Sequence, residues 1–156
     1  MSRFAARLLV PILTGACFPG RRYHKKDLLW YLRQVEEVVI RVLAEYGVEG
    51  CRDEEYSGVW VKERGAYEKV AFVGVNVSRW ITMHGFSINV QNTSALTEGF
   101  GKIVPCGIEE IHEGKYGATT LDKYAPGVTV DEVRQTTVKR FAEVLGVEML
   151  PCPAAD

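Results

Sequence analysis

Cys106 stands between Pro105 and Gly107 in the run Ile103-Val104-Pro105-Cys106-Gly107. A thiolate attacks carbonyl carbon readily, and a nearby amine or imidazole that lowers the thiol pKa or moves its proton makes it a working nucleophile. Proline before and glycine after restrict the chain and remove bulk. The thiol and the amide at or after Gly107 can then approach a substrate carbonyl, with the amide facing the oxyanion of a tetrahedral intermediate. Against this, most cysteines are simply small buried hydrophobes. Two further side chains complete a kit for acyl transfer. Lys69 opens an apolar run, so it is either a solvated strand-edge lysine or one that turns inward and loses water. Desolvation lowers a lysine pKa and a neighbouring thiolate raises it, so such a pair can share one proton. His84, before Gly85, is either a hydrogen-bonded core histidine or a proton carrier.

These residues need strands to hold them. Val70, Phe72 and Gly74 alternate with Ala71, Val73 and Val75, and both faces are apolar, as in a central strand. His84–Gln91 alternates more cleanly, with Phe86, Ile88 and Val90 on one face and Ser87, Asn89 and Gln91 on the other. Ser57–Lys62 alternates too, and Gly65 can turn a hairpin from it into Lys69–Asn76. An antiparallel meander follows, with Lys69 and His84 at strand beginnings. Asp27–Tyr46 is predicted as a helix, because Leu28, Leu32, Val35, Val39, Val42 and Tyr46 recur at steps of three and four. Asp27 suits its N-terminal end and Gly47 the position past its last turn. Trp30, Tyr31 and Glu36-Glu37 are accounted for by its core and solvated faces. A second helix is predicted from about Val130 to Leu145, with Thr129 and Glu132 at capping-box spacing and Gly146 to end it. Val48–Tyr56, Asn92–Lys102 and Ile108–Gly127 read as connections, and Arg79-Trp80 as a surface or packing pair.

A chain of 156 residues with 47% hydrophobic and 10% aromatic content fits one domain with an ordinary core. No apolar run reaches the roughly 18–20 residues of a membrane span. Net charge is −1 but unevenly placed: through Val35 seven bases meet one acid, Asp27. That basic face is either a solvated surface, a targeting segment or a meeting place for an acidic partner. Residues 1–20 are accordingly read as a targeting segment or a leftover strand over Leu8–Leu13, 21–150 as the domain, and 151–156 as a tail. Cys17, Cys51, Cys106 and Cys152 form no C-x-x-C pair and no zinc spacing with the histidines, so neither a structural metal nor a disulfide framework is expected, and a reducing compartment is.

Taken together, these segments closely resemble the lipoyl(octanoyl) transferase family. Ser57-Gly58-Val59-Trp60 matches its T/S-G-V-W, Lys69–Val75 its K-I-A-x-I-G-V, and Ser78–Val90 its S-R-W-x-T-x-H-G-x-x-x-N-V. Ile103–Gly107 matches its I-V-P-C-G. Gly117–Leu121 is similar to its G-V-T-S-L and Tyr31–Val39 to its Y-L-R-x-L-E-E-V-I helix. The resemblance implies an α+β fold of the biotin/lipoate protein ligase-like catalytic domain, with a mixed, largely antiparallel sheet packed against helices. It implies transfer of an octanoyl group from acyl carrier protein, through a thioester on Cys106, to a lysine of a lipoyl domain in a 2-oxoacid dehydrogenase or the glycine-cleavage H protein. Lys69 would tune the thiol, and Phe72-Val73-Gly74 with His84-Gly85-Phe86-Ser87 would line the acyl site. No cofactor, metal or nucleotide is implied, since the thioester supplies the driving force. Nucleic acid and membrane are not expected partners, and the implied compartment is mitochondrial in a eukaryote, otherwise cytoplasmic. An ATP-using ligase of the same fold would need a phosphate-gripping glycine loop, and none is apparent.

The chain also departs from the family pattern. Asn76 stands where arginine is frequent, Asn92–Lys102 is long, and the R-G-G-x-x-T-Y-H-G-P-G-Q stretch that walls the substrate site does not precede Leu8–Leu13. Several strands are therefore expected to be missing, with apolar surface on Lys69–Val90 left partly uncovered. The competing expectation is an inactive or partner-dependent fragment that binds acyl carrier protein or lipoyl domains without turnover.

Overall fold

The computed structural model describes residues 7–11, 27–78, 81–91 and 116–149, with backbone alone for part of these. Its elements are β1 (Arg7–Pro11), α1 (Leu28–Glu45), β2 (Gly50–Cys51), β3 (Val59–Glu63), β4 (Ala66–Ser78), β5 (Ile81–Asn89), β6 (Tyr116–Ala118), a 3-10 turn (Leu121–Lys123) and α2 (Val130–Leu145). The strands form one sheet in the order β1-β5-β4-β3-β2, all antiparallel along that path, while β6 pairs parallel with β4 over Tyr67–Lys69. Mixed α+β architecture with a largely antiparallel sheet is thus the observed fold.

Local chemistry explains the boundaries. Asp27 caps α1 by accepting a hydrogen bond from the Trp30 amide at 3.0 Å. Gly47, φ 71°, follows its end. The capping box of α2 is complete: Glu132 N–H donates to Thr129 Oγ1 and Thr129 N–H to Glu132 Oε2. Gly146 ends α2 in the left-handed region. Arg64 and Gly65 join β3 to β4 with φ of 49° and 88°, the two positive values of a type I′ hairpin turn.

The core lies between the helices and one face of the sheet. It unites Val35, Val38, Val39, Val42 and Leu43 of α1 with Val133, Phe141 and Leu145 of α2, and with Val59, Val61, Val70, Phe86, Ile88 and Val90 from the sheet region. The apolar face of α1 keeps the predicted Val35, Val39 and Val42 but is wider than predicted. Leu28 is exposed and Tyr31, Val38 and Leu43 are buried, because α1 meets α2 as well as the sheet and so needs a wider stripe than one partner would require.

The strand reading of the Leu8–Leu13 segment is met over Arg7–Pro11, which pairs with β5 from Arg7 opposite Asn89 to Pro11 opposite Gly85. Other expectations shift. β4 and β5 extend further than the apolar runs suggest, since Ser78 pairs with Ile81 across a two-residue connection; Lys69 and His84 therefore lie within strands rather than at their beginnings. β2 and β6, too short for periodicity, appear where connections are predicted. Within the expected uncovered apolar surface, Val70, Ala71, Phe86, Ile88 and Val90 are buried, while Phe72, Val73, Val75 and Val77 of β4 are partly exposed.

Candidate active site

A single bulge sets the site. Val59 pairs with Ala71 but Trp60 pairs with Lys69, so β4 carries one extra residue, Val70. The alternation resets across it. Lys69 and Phe72, three apart, come to one face, and the Lys69 Nζ lies 4.8 Å from the centre of the Trp60 ring and 5.0 Å from that of Phe72. This is why Phe72 and Gly74 share a face with Lys69 and not, as simple alternation predicts, with Val70. Register with β5 then brings Ser87 opposite Phe72 and Gly85 opposite Gly74, and directly opposed residues point to the same side. The face away from the helices thus gathers Trp60, Lys69, Phe72, Gly74, Gly85 and Ser87.

Two of the anticipated lining residues point elsewhere. Phe86 is part of the helix-packed core, and Val73, its partner across the strands, packs against the same cluster. On the Lys69 face these two offer backbone only. His84 sits opposite Val75 in β5. Cys106 lies outside the described residues, as do Ile103–Gly107 as a whole and the predicted Asn92–Lys102 loop, so the pairing of Cys106 with Lys69 belongs with the proposals below.

Lys69 is held from several directions. Its side chain is only 3% exposed, and its carbonyl accepts from the Thr119 amide at 3.0 Å, just beyond β6. Asn89, fully buried, donates to the Thr119 carbonyl at 3.0 Å and so ties the end of β5 to that turn. Gly58 forms a wall. At φ 120°, a Cβ there would meet Lys69 Cε at 2.6 Å, Lys69 Nζ at 3.2 Å and the Ala71 carbonyl oxygen at 2.6 Å. The rings of Trp60 and Phe72 give a buried ammonium a favourable quadrupole in place of water.

Gly58 is itself fixed from the helix. Its amide donates to Glu36 Oε1 at 3.0 Å, and Glu36 is fully buried on α1. The second carboxylate oxygen of Glu36 receives Arg33 at 2.7 Å and lies 3.4 Å from Arg52 Nε. The expectation that Glu36 merely belongs to a solvated face is therefore corrected. Its signal was present: Glu36 lies four residues before Ile40 and seven before Leu43, on the packed side of α1. Beside it, hydrogen bonds from Arg52 and then Arg41 hold the Glu37 carboxyl below the ordinary range.

Cys51 is the cysteine among the described residues, a free thiol opposite Trp60 in β2. Burial pushes its pKa up, so it is the opposite of an activated thiol. A polar cluster braces the β3–β4 hairpin: Lys123 bonds Glu68 at 2.6 Å and Glu63 at 2.9 Å, and the Tyr124 hydroxyl donates to Glu68 at 2.5 Å. Burial raises the Glu68 pKa, but its bonds to Lys123 and Tyr124 outweigh that and leave it lowered.

A largely antiparallel sheet with two helices packed on one face is similar to the fold of the biotin and lipoate protein ligases. A bipartite lipoate protein ligase from Thermoplasma acidophilum superposes with TM-score 0.63 at 14% identity, over 85% of this chain and 51% of that one. A biotin protein ligase from Aquifex aeolicus superposes with TM-score 0.54 at 22% identity, over 78% and 45%. The chain belongs to the lipoyl protein ligase A/B catalytic domain family, whose model matches residues 13–142. An octanoyltransferase of Nostoc punctiforme is 47% identical over 144 residues, 92% of this chain and 57% of that protein. One from Nostoc sp. is 49% identical over 127 residues, 81% and 52%. The chain thus spans about half the length of these curated relatives. No helix among the described residues is long and apolar enough to cross a membrane.

Proposed function

We propose that this protein is an octanoyltransferase. It moves an octanoyl group from acyl carrier protein to a lysine of a lipoyl domain, in a 2-oxoacid dehydrogenase or the glycine-cleavage H protein, by way of Cys106. The observation that carries the reading is Lys69: an amine buried between two aromatic rings, beside a strip of small residues at Gly74, Gly85 and Ser87. The relatives named octanoyltransferase give the class of acyl group.

In this reading the Cys106 thiolate attacks the thioester carbonyl, a carbon–sulfur bond forms, and the carrier's thiol leaves with a proton from Lys69. The acceptor amine then attacks the acyl-enzyme, an amide forms, and Cys106 departs as thiolate while Lys69 takes the proton lost by the amine. The net change exchanges thioester for amide and needs no other reagent. Phe72, Gly74, Gly85 and Ser87 line the acyl channel, with Val73 and Phe86 supporting it from behind and His84 at its strand. Burying the chain there contributes about 0.8 kcal/mol per methylene. The compartment follows the host, mitochondrial in a eukaryote and cytoplasmic in a bacterium.

Mass spectrometry after mixing with octanoyl-acyl carrier protein tests this. An octanoyl adduct on Cys106 that disappears in Cys106→Ala is expected. An intact fold that binds the carrier with no adduct would instead establish a partner-dependent or inactive binding module.

A further inference from the structure

Among the described residues only two charged side chains are buried, Glu36 and Lys69. They come from different layers, one on a helix and one on the far side of the sheet. One residue links them. Gly58 donates its amide to Glu36 Oε1, and its Cα packs so closely on Lys69 that an added Cβ would fall 2.6 Å from Lys69 Cε. A buried carboxylate is costly unless paired. Arg33 and Arg52 meet that cost from the solvent side, leaving the inner oxygen to hold the backbone.

We propose that Glu36 is a positioning residue for Lys69: it fixes the Gly58 backbone, and that backbone is the wall that sets where the Lys69 ammonium lies. A loop of Arg52–Ser57 precedes Gly58, and Asp53 accepts from the amides of Glu55 and Tyr56 at 2.9 Å. The loop therefore turns on its own local bonds. Arg52 also ties the start of this loop to α1, through the Arg33 carbonyl at 3.2 Å and Glu37 at 2.6 Å, but the bond from Glu36 is the one made to Gly58 itself. Lys69 then has Gly58 on one side and the Trp60 and Phe72 rings around it, and loosening the first lets the ammonium move relative to the rings. The catalytic consequence rests on the transferase reading; the placement of Lys69 does not.

Competitive acylation of lysines, followed by mass spectrometry as a function of pH on the full chain, reads the placement directly. Lys62 and Lys139 serve as internal controls. Glu36→Ala is expected to move the labelling midpoint of Lys69 by about one pH unit, because its ring contacts and exposure change, while the controls stay put. Glu36→Gln keeps an oxygen for the Gly58 amide and is expected to return Lys69 to within about twofold of the wild-type labelling rate. Glu36→Asp keeps the charge but shortens the reach to the Gly58 amide, so it decides the matter even where Glu36→Ala fails to fold. The rate of octanoyl adduct formation on Cys106 is read alongside and is expected to fall about tenfold in Glu36→Ala with carrier KM unchanged. A lower unfolding temperature with an unmoved Lys69 midpoint in Glu36→Ala or Glu36→Asp would overturn the proposal. Absence of any adduct in the wild-type chain, with the midpoint still moving, would sink the transferase reading and leave the positioning role standing.

Discussion

Lys69 carries its charge where water is scarce, and its substitutions separate charge from proton transfer. Arginine would keep a cation near Trp60 and Phe72 but cannot give up a proton near neutral pH. Lys69→Arg is therefore expected to fold and to lower the rate of octanoyl adduct formation by about a hundredfold or more, the usual size of a lost acid–base partner. A rate within a few fold of wild type in a stopped-time adduct assay would mean that charge alone suffices. Gly74 allows a cleaner experiment. Among the described residues no heavy atom lies within 4 Å of a Cβ built there, and its backbone needs no glycine-only conformation. Gly74→Leu is expected to leave the unfolding temperature nearly unchanged while filling the acyl face. Octanoyl transfer should drop about tenfold, given roughly 0.8 kcal/mol for each methylene excluded, with butanoyl transfer much less affected. Equal loss for both chains would place the acyl group elsewhere.

At the scale of elements, the brace formed by Glu63, Glu68, Lys123 and Tyr124 joins the β3–β4 hairpin to the turn after β6, which also holds the Lys69 carbonyl. Glu68 has a lowered pKa in the folded chain. Its contribution is thus complete above its unfolded value of about 4.5 and is lost as pH falls through the folded value below that. Tyr124 is raised, first by burial and then by Glu68, so its contribution is complete below about 10 and is lost as pH climbs through its folded value. Glu68→Gln is expected to cost about 1 kcal/mol or less at pH 7, since the pair is part-exposed and screened. In urea unfolding the gap between variant and wild type should begin to narrow as pH falls below about 4.5 and should close below the lowered folded value; a gap that does not change with acidification would assign the loss to packing.

Much of this element-level arrangement was readable beforehand. α1, α2 and the three-strand meander announce themselves by period and by caps: Asp27, the Thr129–Glu132 box, and Gly65 in its turn. What stayed hidden arises between elements. Val70 is a bulge only because Trp60 pairs with Lys69 instead of its neighbour, a fact of cross-strand register that alternation within β4 does not contain. That single shift decides which residues share the lysine's face. Glu36 reads with Glu37 as accounted for by the helix's core and solvated faces, whereas its decisive partner is Gly58, 22 residues on and beyond a loop. β6, three residues long, exists by pairing with β4 and carries no period of its own.

The described residues share one core, and Lys69 lies on the reverse side of the sheet from it. Phe86 and Phe72 sit on neighbouring strands yet serve opposite sides: Phe86 is 3% exposed within the cluster shared by α1, α2 and the sheet, while the Phe72 ring lies 5.0 Å from Lys69 Nζ. Phe86→Ala opens a cavity where both helices meet the sheet and is expected to cost about 3–5 kcal/mol. Because that cluster spans every large element, its loss should lower the midpoint without splitting the transition. Far-UV circular dichroism, reporting α1 and α2, and tryptophan fluorescence, reporting Trp60 on the reverse face and Trp30 on α1, should still coincide. Phe72→Ala is the counterpart: a smaller stability cost, with its main effect on Lys69 labelling. If the two probes separated in Phe86→Ala, the helices and the site-bearing sheet would be distinct folding units, and the positions of Glu36 and Lys69 could not be coupled through one core.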